Sequence, residues 1–122
     1  MPERVSILED QEIIKIESYG EVSISDLKQS MEEVIKIHQE KGLTRVFIDA
    51  SKETALPSTY PVFKFGSELA QVLQKLKFAV VTSPKLKDIL RFLENVTRNR
   101  GAQVRMFESE DAALEWLMGE SE

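Results

Sequence analysis

Arg45-Val46-Phe47-Ile48-Asp49-Ala50-Ser51-Lys52-Glu53-Thr54-Ala55-Leu56-Pro57-Ser58-Thr59-Tyr60-Pro61 is the stretch that decides the fold. Val46, Phe47 and Ile48 form an unbroken apolar run ended by a carboxylate, as expected of a buried strand. Ser58 or Thr59 then offers a hydroxyl oxygen to the free amides of a helix start. Pro61 suits the first turn, where its missing N–H has no intrahelical partner to lose. Strand, connection and helix in this order make the first half of a βαβ unit. The connection from Asp49 to Tyr60 is longer than the usual roughly 2–6 residues, and long connections are often functional.

Upstream, Val5-Ser6-Ile7-Leu8 and the alternating Ile14-Lys15-Ile16-Glu17 read as two short strands separated by Glu9-Asp10-Gln11. An antiparallel hairpin closed by Tyr19-Gly20 is the expectation. A first helix follows, capped by Ser23 or Ser25, with Leu27, Met31, Val34, Ile35 and His38 on one face and Gly42 at its end. Downstream of Pro61, a second helix carries Val62, Gly66, Leu69, Leu73 and Leu76 as its stripe. Phe78-Ala79-Val80-Val81-Thr82 is a buried strand, and Ser83-Pro84 opens a third helix with Leu86, Ile89, Leu90, Leu93 and Val96, ended by Gly101. Gln103 to Phe107 is the last strand, and Ser109 caps a final helix containing Ala112, Ala113, Trp116 and Leu117. The expected fold is one α/β domain over residues 1–122. Its order is β-β-α-β-α-β-α-β-α, a mixed, mostly parallel five-stranded sheet with four helices.

Composition bounds the function. The formal net charge is −5, so nucleic acid is not the expected partner, because phosphate contacts need a basic face. No cysteine is present, which removes disulfides, thiolate metal sites and a Cys nucleophile. No apolar run approaches the roughly 20 residues that span a bilayer, and the first residues lack the pattern of a secretory signal. No membrane insertion and a cytoplasmic location are expected.

Catalytic constellations are scarce. His38 is the only histidine, and its place on the apolar stripe reads as a rim residue packed on the core, with no metal expected. The five glycines are dispersed, so no phosphate-cradling loop is present, and no cofactor is expected. Glu32-Glu33 reads as a solvated pair. Glu108, Glu110 and Asp111 suit the positive end of the last helix. Lys85, Lys87, Arg91, Arg98 and Arg100 read as a solvated basic face. In an open α/β sheet, ligands sit beyond the carboxyl ends of the strands. Asp49, Thr82 and Glu108 end three of them, and Ser51, Thr54, Ser58 and Thr59 add hydroxyls there.

Several stretches resemble the STAS domain family, which includes the bacterial SpoIIAA-like anti-sigma-factor antagonists. They are Arg45-Val46-Phe47-Ile48-Asp49, Phe65-Gly66-Ser67-Glu68-Leu69-Ala70, Arg91-Phe92-Leu93-Glu94, Arg98-Asn99-Arg100-Gly101, and Val104-Arg105-Met106-Phe107 with Ala113-Leu114-Glu115-Trp116-Leu117. More closely, the chain is similar to a widespread uncharacterised bacterial group of STAS-like proteins. The resemblance implies a non-catalytic regulatory module with a protein partner. It also implies a phosphorylatable serine at the start of the second helix, where this chain reads Pro57-Ser58-Thr59-Tyr60. Ser58 is the first candidate and Thr59 the second.

Three functions compete. A protein-interaction module would use Asp49, Ser51, Thr54, Ser58, Tyr60, Phe63, Phe65 and Thr82; a homodimer is allowed, though no heptad or unpaired apolar helix face specifies one. A small-ligand domain for lipid or nucleotide would use a pocket at the carboxyl edge lined by Phe47, Tyr60, Phe63 and Phe65. An enzyme would have to build a site from Asp49, Ser51, Ser58 and Thr82 without a suitable base.

Overall fold

A computed structural model describes residues 3–55, 74–82, 88, 91, 95 and 103–119. The elements are β1 (Glu3–Leu8), β2 (Ile13–Glu21), α1 (Ile24–Lys41), β3 (Arg45–Ala55), β4 (Lys77–Thr82), β5 (Gln103–Phe107) and α2 (Glu110–Met118). The expected second helix, with Ser58, Thr59, Tyr60, Phe63 and Phe65, lies outside the described residues, except that Leu76, expected on its stripe, stands in the turn that leads into β4. Most of the expected third also lies outside them; of it, Asp88, Arg91 and Asn95 are helical and exposed. Two helices rather than four are therefore defined among the described residues, α2 being the final helix of the sequence reading.

The five strands form one sheet in the order β1-β2-β3-β4-β5. β1 pairs antiparallel with β2, whereas β2–β3, β3–β4 and β4–β5 are parallel. The sheet is thus mixed, one antiparallel pairing beside three parallel ones, where a mixed, mostly parallel sheet was expected. A hairpin forces its first pairing to be antiparallel, and the helical crossover of α1 makes β2 and β3 parallel.

Adjacent apolar residues alternate between the two sheet faces, which is why the central strands read as continuous apolar runs. Ile14, Ile16, Val46, Ala50, Phe78, Val80 and Val104 pack with Val34 of α1 and with Leu76. Ile13, Phe47, Ala79 and Val81 pack with Ala113 and Leu117 of α2 on the other face. Lys77 helps to seat α2. Its Nζ lies 4.4 Å from the centre of the Trp116 ring and donates to the Trp116 carbonyl at 2.9 Å, satisfying one of the free carbonyls at that helix end.

Local chemistry sets the helix ends. Ser23, not Ser25, caps α1: its Oγ accepts from Asp26 N–H at 3.1 Å, while the Asp26 carboxylate accepts from Ser23 N–H at 3.0 Å. These bonds hold the Asp26 carboxyl below its ordinary range. Gly42 closes the helix at φ 73, donating its N–H to the His38 carbonyl at 2.8 Å. Ser23→Ala should cost about 1 kcal/mol in urea unfolding at neutral pH. The Asp26 half of the cap stabilises above its unfolded pKa and fades as pH falls through its depressed folded value. The difference between variant and wild type should therefore narrow in strong acid.

β2 and β3 both run further than their sequences suggest. Tyr19-Gly20 does not close a hairpin; it lies inside β2, opposite Lys52 and Glu53 of β3. The register passes from Glu17↔Asp49 to Tyr19↔Lys52, so Ser18 faces two residues, Ala50 and Ser51, in a bulge. A second shift follows between Gly20 and Glu21, with Gly20 at φ 60, a conformation that glycine adopts without a side-chain clash.

Candidate functional site

The structure places Asp49, Ser51 and Thr54 within strand β3 rather than on a free loop. Asp49 carries the bulge. Its Oδ1 accepts from Ser51 N–H at 3.1 Å and from Ser51 Oγ–H at 2.6 Å, the side-chain-to-backbone turn that aspartate makes two residues ahead. Its first duty is therefore local and structural.

The sheet divides the cluster expected at its carboxyl edge. Asp49 is in register with Val81, which packs on the α2 face, and Ala50 is in register with Thr82. By alternation, Asp49 projects on the α2 side and Thr82 on the α1 side, where Ala50 and Val80 pack. Thr82 is buried. Phe47 is fully buried beneath α2 and does not line the carboxyl edge. The sheet order also runs without reversal, so these five strands contain no switch point of the kind that opens a ligand crevice.

What remains together is a polar and aromatic ledge on the α2 side of β2 and the end of β3. Tyr19 is the only exposed large apolar side chain among the described residues, at 36%. Lys52 lies 5.8 Å over its ring, and Ser51 and Lys52 are exposed. Lys15 and Glu17 continue the strip with an ion pair at 3.7 Å. Such a ledge supplies hydrogen bonds, both signs of charge and one amphipathic ring, the equipment of a contact surface. Sequence reasoning missed Tyr19, Lys15, Glu17 and Lys52. The alternation of β2 carries the signal for the first three, since they share the face opposite Ile14 and Ile16.

His38 is half-buried, and its Nδ1 lies 2.8 Å from the Leu43 carbonyl. A carbonyl only accepts, so this nitrogen carries the proton. The histidine ties the end of α1 to the segment entering β3. Asp49 lies four residues into β3, about 13 Å along the strand at about 3.3 Å per residue. The two are not brought together. Among the described residues no group of three His, Asp or Glu is placed to hold a metal ion, and no helix is long and apolar enough to cross a membrane.

A second polar group, also unforeseen, lies on the α1 side. Glu3 of β1 is buried, and its two carboxylate oxygens accept from Ser18 Oγ at 2.6 Å and from Ser30 Oγ at 2.5 Å. Both serines are buried. Burial pushes the Glu3 carboxyl above its ordinary range; the two hydroxyls oppose that shift, and the charge of Asp26 adds to it. Periodicity held the clue: Glu3 is in step with Val5 and Ile7, Ser18 with Ile14 and Ile16, and Ser30 with Val34 at helical spacing.

Known proteins agree with this architecture. No curated protein matches the chain. An uncharacterised protein with a SpoIIAA-like fold from Shewanella loihica PV-4 superposes with a TM-score of 0.65 at 18% identity, covering 94% of this chain and 93% of that one. The anti-sigma factor antagonist SpoIIAA in its unphosphorylated form superposes with a TM-score of 0.60 at 15% identity, covering 96% and 98%. The SpoIIAA-like family description matches residues 13–118, from the first core residue of β2 to the last residue of α2. The paired strands, the helix-covered sheet and this nearly full-length match lead to one conclusion: the chain belongs to the SpoIIAA-like family.

Proposed function

We propose that this protein is a non-catalytic regulatory module of the cytoplasm that acts by binding another protein, as its family's resemblance to anti-sigma-factor antagonists suggests. The observation that carries the reading is the exposed ledge of Tyr19, Lys52 and the Asp49–Ser51 bulge. Strand β3, which carries the Asp49–Lys52 part of it, ends at Ala55, three residues before Ser58. The contact surface combines this ledge with Thr54 and the segment bearing Ser58, Thr59, Tyr60, Phe63 and Phe65; Thr82, buried on the other face, is left out of it. Ser58 is the switch position and Thr59 its alternate. A phosphate there adds about −1.5 to −2 charge to a chain already at −5, which repels an acidic partner. The lipid- or nucleotide-pocket alternative has less support, since Phe47 is occupied in the core beneath α2.

The test is quantitative affinity capture from the native host, with wild-type protein, Ser58→Asp, Ser58→Ala and Lys52→Glu as baits. A single partner retained by wild type and Ser58→Ala, and reduced at least about tenfold by Ser58→Asp and by Lys52→Glu, is expected. A tenfold loss corresponds to about 1.4 kcal/mol. Retention indifferent to both charge-changing variants would refute the proposed surface. Native mass spectrometry of the same preparations reports bound small molecules, phosphate and self-association.

A further inference from the structure

Glu3 joins three elements that the chain separates widely. It belongs to the edge strand β1, Ser18 is fifteen residues away on β2, and Ser30 is twenty-seven residues away on α1. Edge strands are exposed to wrong pairing, and an inward-pointing charge is one device that restrains them. Here the inward group is a carboxyl with no ion-pair partner among the described residues. The charged side chains that share its groove are of its own sign. Asp26 and Glu33 of α1 line the same shallow groove with Val5, Gln29 and Ser30; β2 contributes the uncharged Ser18; the amino terminus acts on Asp26.

We propose that Glu3, Ser18 and Ser30 form a proton-dependent latch: protonated Glu3 holds β1 against α1, and its ionisation loosens this joint without unfolding the rest of the sheet. In the ionised state both hydroxyls donate to the carboxylate, but two neutral dipoles replace water incompletely, and Asp26 repels the charge. In the protonated state one carboxyl oxygen accepts from one serine, and the new O–H donates to the oxygen of the other, so the joint stays bonded without a buried charge. The closed joint binds the proton more tightly than the open one. Its stability is complete below the ordinary glutamate range and is lost as pH rises through the higher value held in the fold. The latch is independent of the partner-binding reading, since it lies on the opposite face of the sheet.

Two measurements on the full chain test it. A carbon-13 NMR titration of the Glu3 side-chain carboxyl should show a midpoint above that of an exposed glutamate. Amide hydrogen exchange, corrected for the intrinsic pH dependence of exchange, should show the opening constant of β1 increasing as pH rises above the ordinary glutamate range. The limiting slope of a one-proton linkage is about tenfold per pH unit. The opening of β4 should change far less. Glu3→Gln keeps an acceptor and a donor for the two hydroxyls and should make the β1 profile flat. An ordinary Glu3 midpoint overturns the latch, as does a β1 profile that is flat in wild type, persists in Glu3→Gln, or rises in parallel with β4. Should Glu3→Gln fail to fold, the titration and the β1–β4 comparison on wild-type protein decide.

Discussion

Phe47→Ala should lower the melting temperature by about 10–20 °C, the consequence of removing about 3–5 kcal/mol from a domain of this size. Phe47 is completely buried and stands in the middle of the α2 face, against Ile13, Ala79, Val81, Ala113 and Leu117. Truncating the ring removes its own transfer energy and leaves a cavity, because β2, β4 and α2 are each held by other contacts and close over it only partly. Total stability of a small domain is about 5–15 kcal/mol, so a large share of it depends on this one ring. Phe47→Leu refills most of the space and should recover more than half the loss. Thermal unfolding followed by circular dichroism measures both. A fall of only a few degrees in Phe47→Ala would show that α2 is not seated on Phe47.

Val46→Asp should do still more damage at neutral pH. Val46 is adjacent to Phe47 in the chain but faces the opposite way, completely buried beneath α1 among Ile14, Ile16, Val34 and Phe78. A carboxylate there has no partner, and the cost of an unpaired buried charge is several kcal/mol. We expect loss of the cooperative transition at pH 7. The introduced carboxyl would have a folded-state pKa raised above its unfolded value, so stability should partly return as pH falls toward 4. Val46→Thr, with the same shape and no charge, should stay folded. A Val46→Asp variant as stable at pH 7 as at pH 4 would argue against burial of this position. Together the two substitutions test whether one strand carries two separate cores, one on each face.

Local signals in the sequence were strong where the physics is local. Ser23 and Ser109 start helices because their hydroxyls meet free amides two or three residues on. Gly42 ends one because it adopts the left-handed conformation at little cost. The runs at Val46–Ile48 and Phe78–Val81 mark buried strands, and the structure covers them with α1 and α2. The reach of β3 was misjudged for the opposite reason. Ser51-Lys52-Glu53-Thr54 has the polar composition of a turn, and these residues are extended because β2 continues alongside them to Glu21. Strand length is decided by the neighbour that supplies hydrogen bonds, and that neighbour lies about thirty residues earlier.

The candidate site was legible in part. Asp49 and Ser51 were singled out, but as a loop site; their mutual hydrogen bonds show them shaping a bulge. Thr82 was grouped with them because strand ends cluster, yet the pleat turns it to the other face. Tyr19 and Lys52 were passed over because neither lies in a motif; they meet only across the β2–β3 pairing.

The stretch from Arg45 to Pro61 therefore divides the determinants of this protein between two scales. The sequence by itself determined the class of fold, the end of α1 at Gly42, the start of α2 at Ser109 and which strands are buried, since these follow from side-chain period and from contacts a few residues apart. Only the tertiary structure decided that β3 runs on past Asp49, that Thr82 and Asp49 face opposite ways, that Tyr19 meets Lys52, and that Glu3 is held by Ser18 and Ser30. Each depends on strand register or on helix docking, and both are set by the summed packing of residues far apart in the chain.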